Sequence, residues 1–155
     1  MKRFIIGTLL GLFIYVPSAM ASHYDLADID LVPEAVVSQL AKDKIENTED
    51  LFAILMKKQD RKAFSKKYGM AQADVDDLAH KLELMQIVGV GPKAAKLLQL
   101  AGVDSLKTLT ESKPDVLLDV LLRVNREHAI TGVQPDLTVV RDWISKGKKI
   151  ANHIE

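Results

Sequence analysis

The fold class is decided by residues 84–98, which read LMQIVGVGPKAAKLL. Gly89 and Gly91 permit the backbone angles of a very tight turn, and without side chains they let another backbone approach closely. Pro92 suits the first position of a helix, where its missing N–H breaks no hydrogen bond. Ala95 is small enough for this second helix to lie close against the helix before it. The stretch therefore predicts two helices joined by a tight hairpin.

The start of the second helix is where chemistry is expected. The first N–H groups of a helix have no partner within the helix, and the helix dipole is positive at this end. Such a place binds anions, most often phosphate, and Lys93 adds a charge to the first turn. The pattern is not a dinucleotide-binding fingerprint, because no strand precedes it and no third glycine follows at the required offset.

Residues 84–98 also resemble the helix-hairpin-helix motif at each of its defining positions. In that family the backbone amides of the hairpin usually hold one phosphate of duplex DNA without reading its sequence, and paired copies hold both strands. The resemblance implies a phosphate-binding loop made of Gly89, Val90, Gly91 and Lys93.

The rest of the chain shows helical spacing and no strict alternation of apolar and polar residues. Apolar side chains recur every three or four residues within 75–85 and within 116–124, which defines a buried face on each predicted helix. Gly69, Gly102 and Gly132 follow helical stretches, as C-terminal caps do. We predict an all-α protein with about eight or nine helices, most of them short.

A faint internal repeat predicts how the helices are organised. When the chain is shifted by 58 residues, residues 26–51 lie on residues 84–109 without a gap, and five apolar residues are identical. We predict one compact helical domain built from two helix-hairpin-helix-like units, residues 22–80 and 81–150, followed by a tail at 151–155.

The first of these units departs from the motif at its hairpin, residues 29–34, which read IDLVPE. Leu31 and Pro33 replace the two glycines, and Ala35 replaces the lysine. Two acids flank the turn, so a phosphate there would meet negative charge as well as bulk. The first hairpin is therefore expected to be structural, and a grip on both DNA strands is not predicted.

The order of elements over residues 24–150 also resembles a bacterial family catalogued as a domain of unknown function, number 4332. The shared features are Ile-x-Gly-Val-Gly-Pro, then Leu-Leu, then Ala-Gly-Val, and further on Asn125 and Trp143-Ile144. This resemblance implies a fold and supplies no activity.

The first 21 residues have the layout of a secretory signal peptide. Lys2 and Arg3 give a short positive region, residues 4–16 are apolar and uncharged, and a small-x-small triplet ends at Ala21. We predict cleavage near Ala21 and a periplasmic or secreted mature chain. The apolar run is shorter than the roughly 20 residues of a spanning helix, and no later stretch is long enough, so the mature chain is not expected to span a membrane.

Charge is balanced over the whole chain but segregated along it. Residues 22–50 carry eight acids and two lysines, whereas residues 51–68 carry six bases and one acid. On one continuous helix most of these bases would share one side. The predicted basic face consists of Lys57, Lys58, Arg61, Lys62 and Lys66. This face would track phosphates, form a solvated surface, or pair with the acidic stretch.

No arrangement of residues indicates catalysis. The four histidines are scattered without metal-ligand spacing, the chain has no cysteine, and no nucleophile motif is present. Trp143 is expected to anchor the last long helix in the core. We predict no enzymatic activity, no metal, no cofactor and no small-molecule substrate.

The sequence leaves two functions open for this binding module. One is weak binding of the phosphate backbone of duplex DNA without sequence preference. The other is protein–protein interaction, with the chain acting as a scaffold module of the cell envelope. The motif favours the first, whereas the degenerate first hairpin and the mature chain's net negative charge favour the second.

Overall fold

The computed structural model describes residues 23–151 and residue 154. The predicted signal peptide and its cleavage site lie outside these residues. The described part of the chain contains eight α-helices and no strand, which confirms the all-α prediction. The helices are α1 (Glu34–Lys42), α2 (Thr48–Leu55), α3 (Lys58–Tyr68), α4 (Gln72–Met85), α5 (Pro92–Leu100), α6 (Leu106–Glu111), α7 (Pro114–His128) and α8 (Leu137–Gly147).

Helix α4 joins the two halves of the molecule. It packs against α2 and α3 in the first half and against α5 and α6 in the second. Helix α8 packs on α6 and α7, and α7 packs on α5. One continuous apolar core lies between these helices, with leucines such as Leu82, Leu84 and Leu98 completely buried. Among these eight helices, none is long and apolar enough to cross a bilayer.

Several helices begin where the local sequence dictates. The side chains of Asn47, Ser105 and Asp136 accept hydrogen bonds from backbone N–H groups in the first turns of α2, α6 and α8. Pro92 and Pro114 occupy the first turns of α5 and α7, where a missing N–H costs nothing. Short polar caps and prolines therefore set the start of five of the helices.

The 58-residue repeat is visible in the backbone. Helices α1 and α5 begin and end at positions that differ by 58, and so do the capping residues Asn47 and Ser105. Lys44 and Gly102, which are also equivalent, both have positive φ, 62° and 84°. A non-glycine residue in this region costs roughly 1–2 kcal/mol. The first unit therefore keeps the turn geometry even where it lacks the glycine.

The beginning of the first unit differs from the expected motif. Residues 23–33 contain no helix and run as turns, with a single bridge between Asp25 and Asn47. The Leu26 amide extends this contact by donating to the Glu46 carbonyl at 2.8 Å. In the described chain this unit has no helix before its turn, so the structure does not confirm two complete helix-hairpin-helix units.

The predicted basic helix is interrupted, which corrects one expectation. Helix α2 ends at Leu55, and Lys57 has extended backbone angles before α3 begins. Arg61 is 4% exposed, and its Nη1 donates to the carbonyls of Leu55 at 2.9 Å and Met56 at 3.1 Å. Its Nε donates to Asp76 at 2.7 Å. Arg61 is therefore not part of a basic face, because its guanidinium is used to satisfy carbonyls at the end of a helix.

Candidate anion-binding hairpin

The predicted hairpin is present between the end of α4 at Met85 and the start of α5 at Pro92. Gly89 has a φ of +97°, an angle that side chains rarely allow. Val90 is 3% exposed, and its amide donates to the Ile87 carbonyl at 2.9 Å, which closes the turn. The glycine-valine-glycine pattern thus produces a tight turn with its central side chain in the core.

Two backbone amides of this turn remain available to a ligand. Gly89 is exposed and Gly91 is half-buried, and neither amide donates a hydrogen bond to any residue that the structure describes. No side chain caps the N-terminus of α5, and the Lys93 side chain lies exposed in its first turn. The hairpin can therefore offer N–H groups, the positive end of a helix dipole and one ammonium group to an anion.

Two aromatic side chains from distant parts of the chain lie against the glycines. A Cβ placed on Gly91 would lie 2.7 Å from the Tyr24 hydroxyl, and one placed on Gly89 would lie 3.5 Å from Trp143 Nε1. No feature of the sequence indicated Tyr24, since contacts between residues so far apart leave no periodic signal. Both aromatic groups carry a hydrogen-bond donor beside the candidate site.

A groove of about 710 Å³ opens beside Gly91. One wall carries Lys93 and Lys96, and the other carries Asp28 and Asp30 from the loop before α1. Within the described residues, no ion pair of 4 Å or less joins these lysines to these acids. The groove therefore presents unpaired charge of both signs, and the acidic wall was not anticipated as a neighbour of Lys93.

Charged side chains of both signs meet where α4 passes α5. Burial lowers the pKa of Lys81, and the nearby Lys96 ammonium lowers it further, whereas Asp77 and Asp30 raise it. Two lysines from different helices are thus close enough to repel each other. An anion bound near α5 would relieve part of this repulsion.

The remaining bases of the predicted basic face lie on α3 and at its start. Lys57, Lys58 and Lys62 line one shallow depression at the N-terminus of the helix, and Lys66 is exposed further along. Lys67, next to it, pairs with Asp43 at 3.0 Å. The structure thus keeps a smaller basic patch of exposed lysines, without Arg61.

A second polar cluster, formed by Glu83 and His80 on α4, holds other parts of the chain together. Glu83 is 3% exposed, and its carboxylate accepts hydrogen bonds from the amides of Leu106 at 3.0 Å and Ile154 at 2.9 Å. His80 Nδ1 lies 3.7 Å from the same carboxylate. Burial raises the pKa of Glu83, but His80 and the two amides outweigh it, so the pKa lies below the usual 4.5. The Glu83 carboxylate in turn raises the pKa of His80 above 6.5.

Helices α4 and α6 and the end of the chain are thus joined at one buried carboxylate. Across the residues that the structure covers, no group of three or more histidine, aspartate or glutamate side chains could hold a metal ion.

Comparison with known proteins identifies a family. No curated protein and no solved structure matches the chain. A family model described as "Domain of unknown function (DUF4332)" matches residues 32–150, which spans every helix from α1 to α8. This confirms one of the two resemblances seen in the sequence, while the resemblance to helix-hairpin-helix proteins stays a prediction. The chain therefore belongs to the DUF4332 family of domains of unknown function.

Proposed function

We propose that this protein is a non-enzymatic binding module whose hairpin holds phosphate groups of duplex DNA without reading the sequence. The observation that carries the proposal is the pair of unused amides at Gly89 and Gly91 beside an uncapped helix N-terminus and the exposed Lys93. Backbone amides at a helix start recognise phosphate by charge and geometry alone. They contribute no base contacts, so such binding is sequence-independent.

The binding would be weak and sensitive to salt. One hairpin and a few lysines neutralise few phosphates, and non-specific complexes of this kind have dissociation constants on the order of 10⁻⁴–10⁻⁶ M. The exposed lysines 57, 58 and 62 would add phosphate contacts if the duplex extends across the start of α3. The acidic groove wall at Asp28 and Asp30 would oppose binding and keep the affinity low.

Fluorescence anisotropy of a labelled duplex, titrated across a salt series, tests the proposal. We expect binding at about 50 mM salt that weakens steadily as the salt concentration rises. Gly91→Asp and Lys93→Glu should abolish it, because each places a negative charge in the site. The C-terminal residue of α7, His128, lines the groove beside Gly91. Lys113→Glu is the matched control, since it makes the same charge change at the start of α7, about 20 Å along that helix from His128.

Two results would overturn the DNA proposal. One is the absence of binding at low salt. The other is an equal loss of affinity in the Lys93 and Lys113 variants, which would show that only net charge matters.

The acidic wall of the groove favours a second candidate function. Asp28 and Asp30 face the same space as Lys93 and Lys96 without pairing with them. A protein partner with charges of both signs would satisfy both walls, whereas a polyanion would satisfy only one. This supports the alternative of a scaffold module in the cell envelope. Cross-linking and pull-down from a periplasmic extract test it, and recovery of nucleic acid alone would count against it.

We also propose that the protein works outside the cytoplasm, as the layout of residues 1–21 indicates. Mass spectrometry of the protein purified from its native host is the test. We expect a chain that begins at Ser22, and an intact Met1 terminus would contradict export by signal-peptide cleavage.

A further inference from the structure

A second, smaller pocket lies beside the hairpin and shares Ala94 and Thr131 with the lining of the charged groove. It has a volume of about 230 Å³ and is formed by the turn, the first half of α5, the loop before α8 and α8 itself. Its lining is mostly apolar and includes Gly89, Val133, Val139 and Trp143. Nothing in the sequence marked these residues as neighbours.

Trp143 places an indole N–H without a protein partner at this pocket. The residue as a whole is 5% exposed, but its indole nitrogen is not among the buried polar atoms of the described chain that lack a hydrogen bond, so the N–H reaches solvent. Its Nε1 lies 3.5 Å from the position of a Cβ on Gly89, whose amide is also unused. Two donors without a protein partner therefore lie beside one pocket, where an acceptor oxygen of a ligand can take the place of water.

The rim of the pocket is unusually apolar for an exposed surface. Val133 is 84% exposed and Val139 is 37% exposed, two of the four large hydrophobic side chains that stand out on the described surface. Apolar side chains beside unpaired donors fit a ligand that carries an acceptor oxygen next to an apolar body. A sugar–phosphate has this form, because its phosphate oxygens accept hydrogen bonds and one face of its sugar is largely C–H.

We infer that Trp143 contacts the ligand directly, with its indole N–H and the Gly89 amide holding a phosphate oxygen while the attached sugar packs on Val133 and Val139. The inference rests on the proposed function, since it assigns further contacts to the same bound sugar–phosphate backbone of the DNA. It gives Trp143 a binding role in addition to its place in the core. It also predicts that the site recognises a phosphate with its sugar in preference to a bare phosphate.

Because Trp143 is the only tryptophan in the chain, its indole N–H gives a single resonance that needs no variant to assign. Titration of the full chain with a short duplex should shift this resonance in step with the anisotropy signal. Deoxyribose 5-phosphate should shift it at lower concentration than inorganic phosphate does.

Trp143→Phe should weaken duplex binding by about tenfold or more, because it removes one hydrogen bond to a charged acceptor while keeping an aromatic ring in the core. Val133→Ser, at an exposed position where folding is not at stake, should weaken the sugar phosphate but not inorganic phosphate. Leu100→Ser is its control, since Leu100 is also an exposed hydrophobic residue, at 46%, and does not line this pocket.

The outcomes separate the two claims. If the wild-type chain binds no duplex at low salt, the proposed function fails. If it binds while the indole resonance stays in place at saturation, or if Val133→Ser and Leu100→Ser behave alike, the inference fails and the proposed function stands. A shifted indole resonance together with a selective effect of Val133→Ser supports the inference.

Discussion

The two glycines of the hairpin are needed for different reasons, and the difference can be measured. Gly89 has a φ of +97°, so Gly89→Ala should lower the free energy of unfolding by about 1–2 kcal/mol through backbone strain. Gly91 has an ordinary φ of −87°, and its only close neighbour is the Tyr24 hydroxyl at the end of a side chain that can move. Gly91→Ala should therefore change stability by less than about 0.5 kcal/mol.

Urea denaturation of both variants is the measurement, and equal losses of stability would contradict this assignment. The sequence predicted both glycines from the need for a tight turn. It could not predict the aromatic neighbours, because Tyr24 and Trp143 reach the hairpin from opposite ends of the described chain.

At the scale of the elements, the corner between α2 and α3 depends on one buried side chain. Arg61→Ala would leave the carbonyls of Leu55 and Met56 without their donor and Asp76 without its cation. Breaking a buried charged pair typically costs about 3–5 kcal/mol, and the partial exposure of Asp76 places the expected loss near the lower end. Lys62→Ala, one residue along and exposed, should change stability by less than about 0.5 kcal/mol.

Thermal or chemical unfolding of the two variants decides the point, and similar stabilities would show that Arg61 is not structural. The sequence placed Arg61 on a charged face because charge and spacing look the same for a buried and an exposed base. Only the break at Lys57, which no proline or glycine marks, turns the side chain inward.

The buried cluster of Glu83 and His80, where α4 and α6 meet residue 154, should make the free energy of unfolding fall both at low pH and at high pH. The pKa of Glu83 is lower in the folded chain than the usual 4.5, so its contribution is present above that pH and is lost as the pH falls through the folded value. The pKa of His80 is higher than 6.5, so its contribution is complete below that pH and is lost as the pH rises through the folded value.

His80→Gln should therefore remove a decline in unfolding free energy above about pH 6.5. Urea titrations of the wild type and this variant between about pH 5 and pH 9 provide the test. The exposed His128→Gln is the control. A wild-type curve that rises or stays level above pH 6.5 would contradict the assignment.

At the scale of the whole molecule, the sequence predicted the helical class and the repeat better than it predicted which distant residues lie next to each other. The helical class and the 58-residue repeat follow from local spacing, which the chain carries in consecutive residues, and α1 and α5 repeat it in their bounds. The meeting of Asp28 and Asp30 with Lys93 and Lys96 across one groove depends on how the first loop folds back on α5. Such long-range contacts determine the electrostatic potential that a ligand meets in the groove. The order of acidic and basic segments along the chain does not reveal these contacts.

The negative charge of Asp28 and Asp30 in the groove leads to a prediction that separates the two proposed functions, because removing it should change the affinity for the two partners in opposite directions. If the groove faces DNA phosphates, Asp28→Asn together with Asp30→Asn should raise the affinity about three- to tenfold at low salt, because two repulsive charges are removed. The gain should shrink at higher salt, since exposed charges are screened over about 10 Å at 0.1 M. If the groove instead faces a protein with basic groups, the same variant should weaken binding of that partner. Anisotropy with duplex DNA measures the first effect. Unchanged or lower DNA affinity would show that no DNA phosphate binds next to Asp28 and Asp30, because two negative charges beside a bound phosphate must oppose its binding.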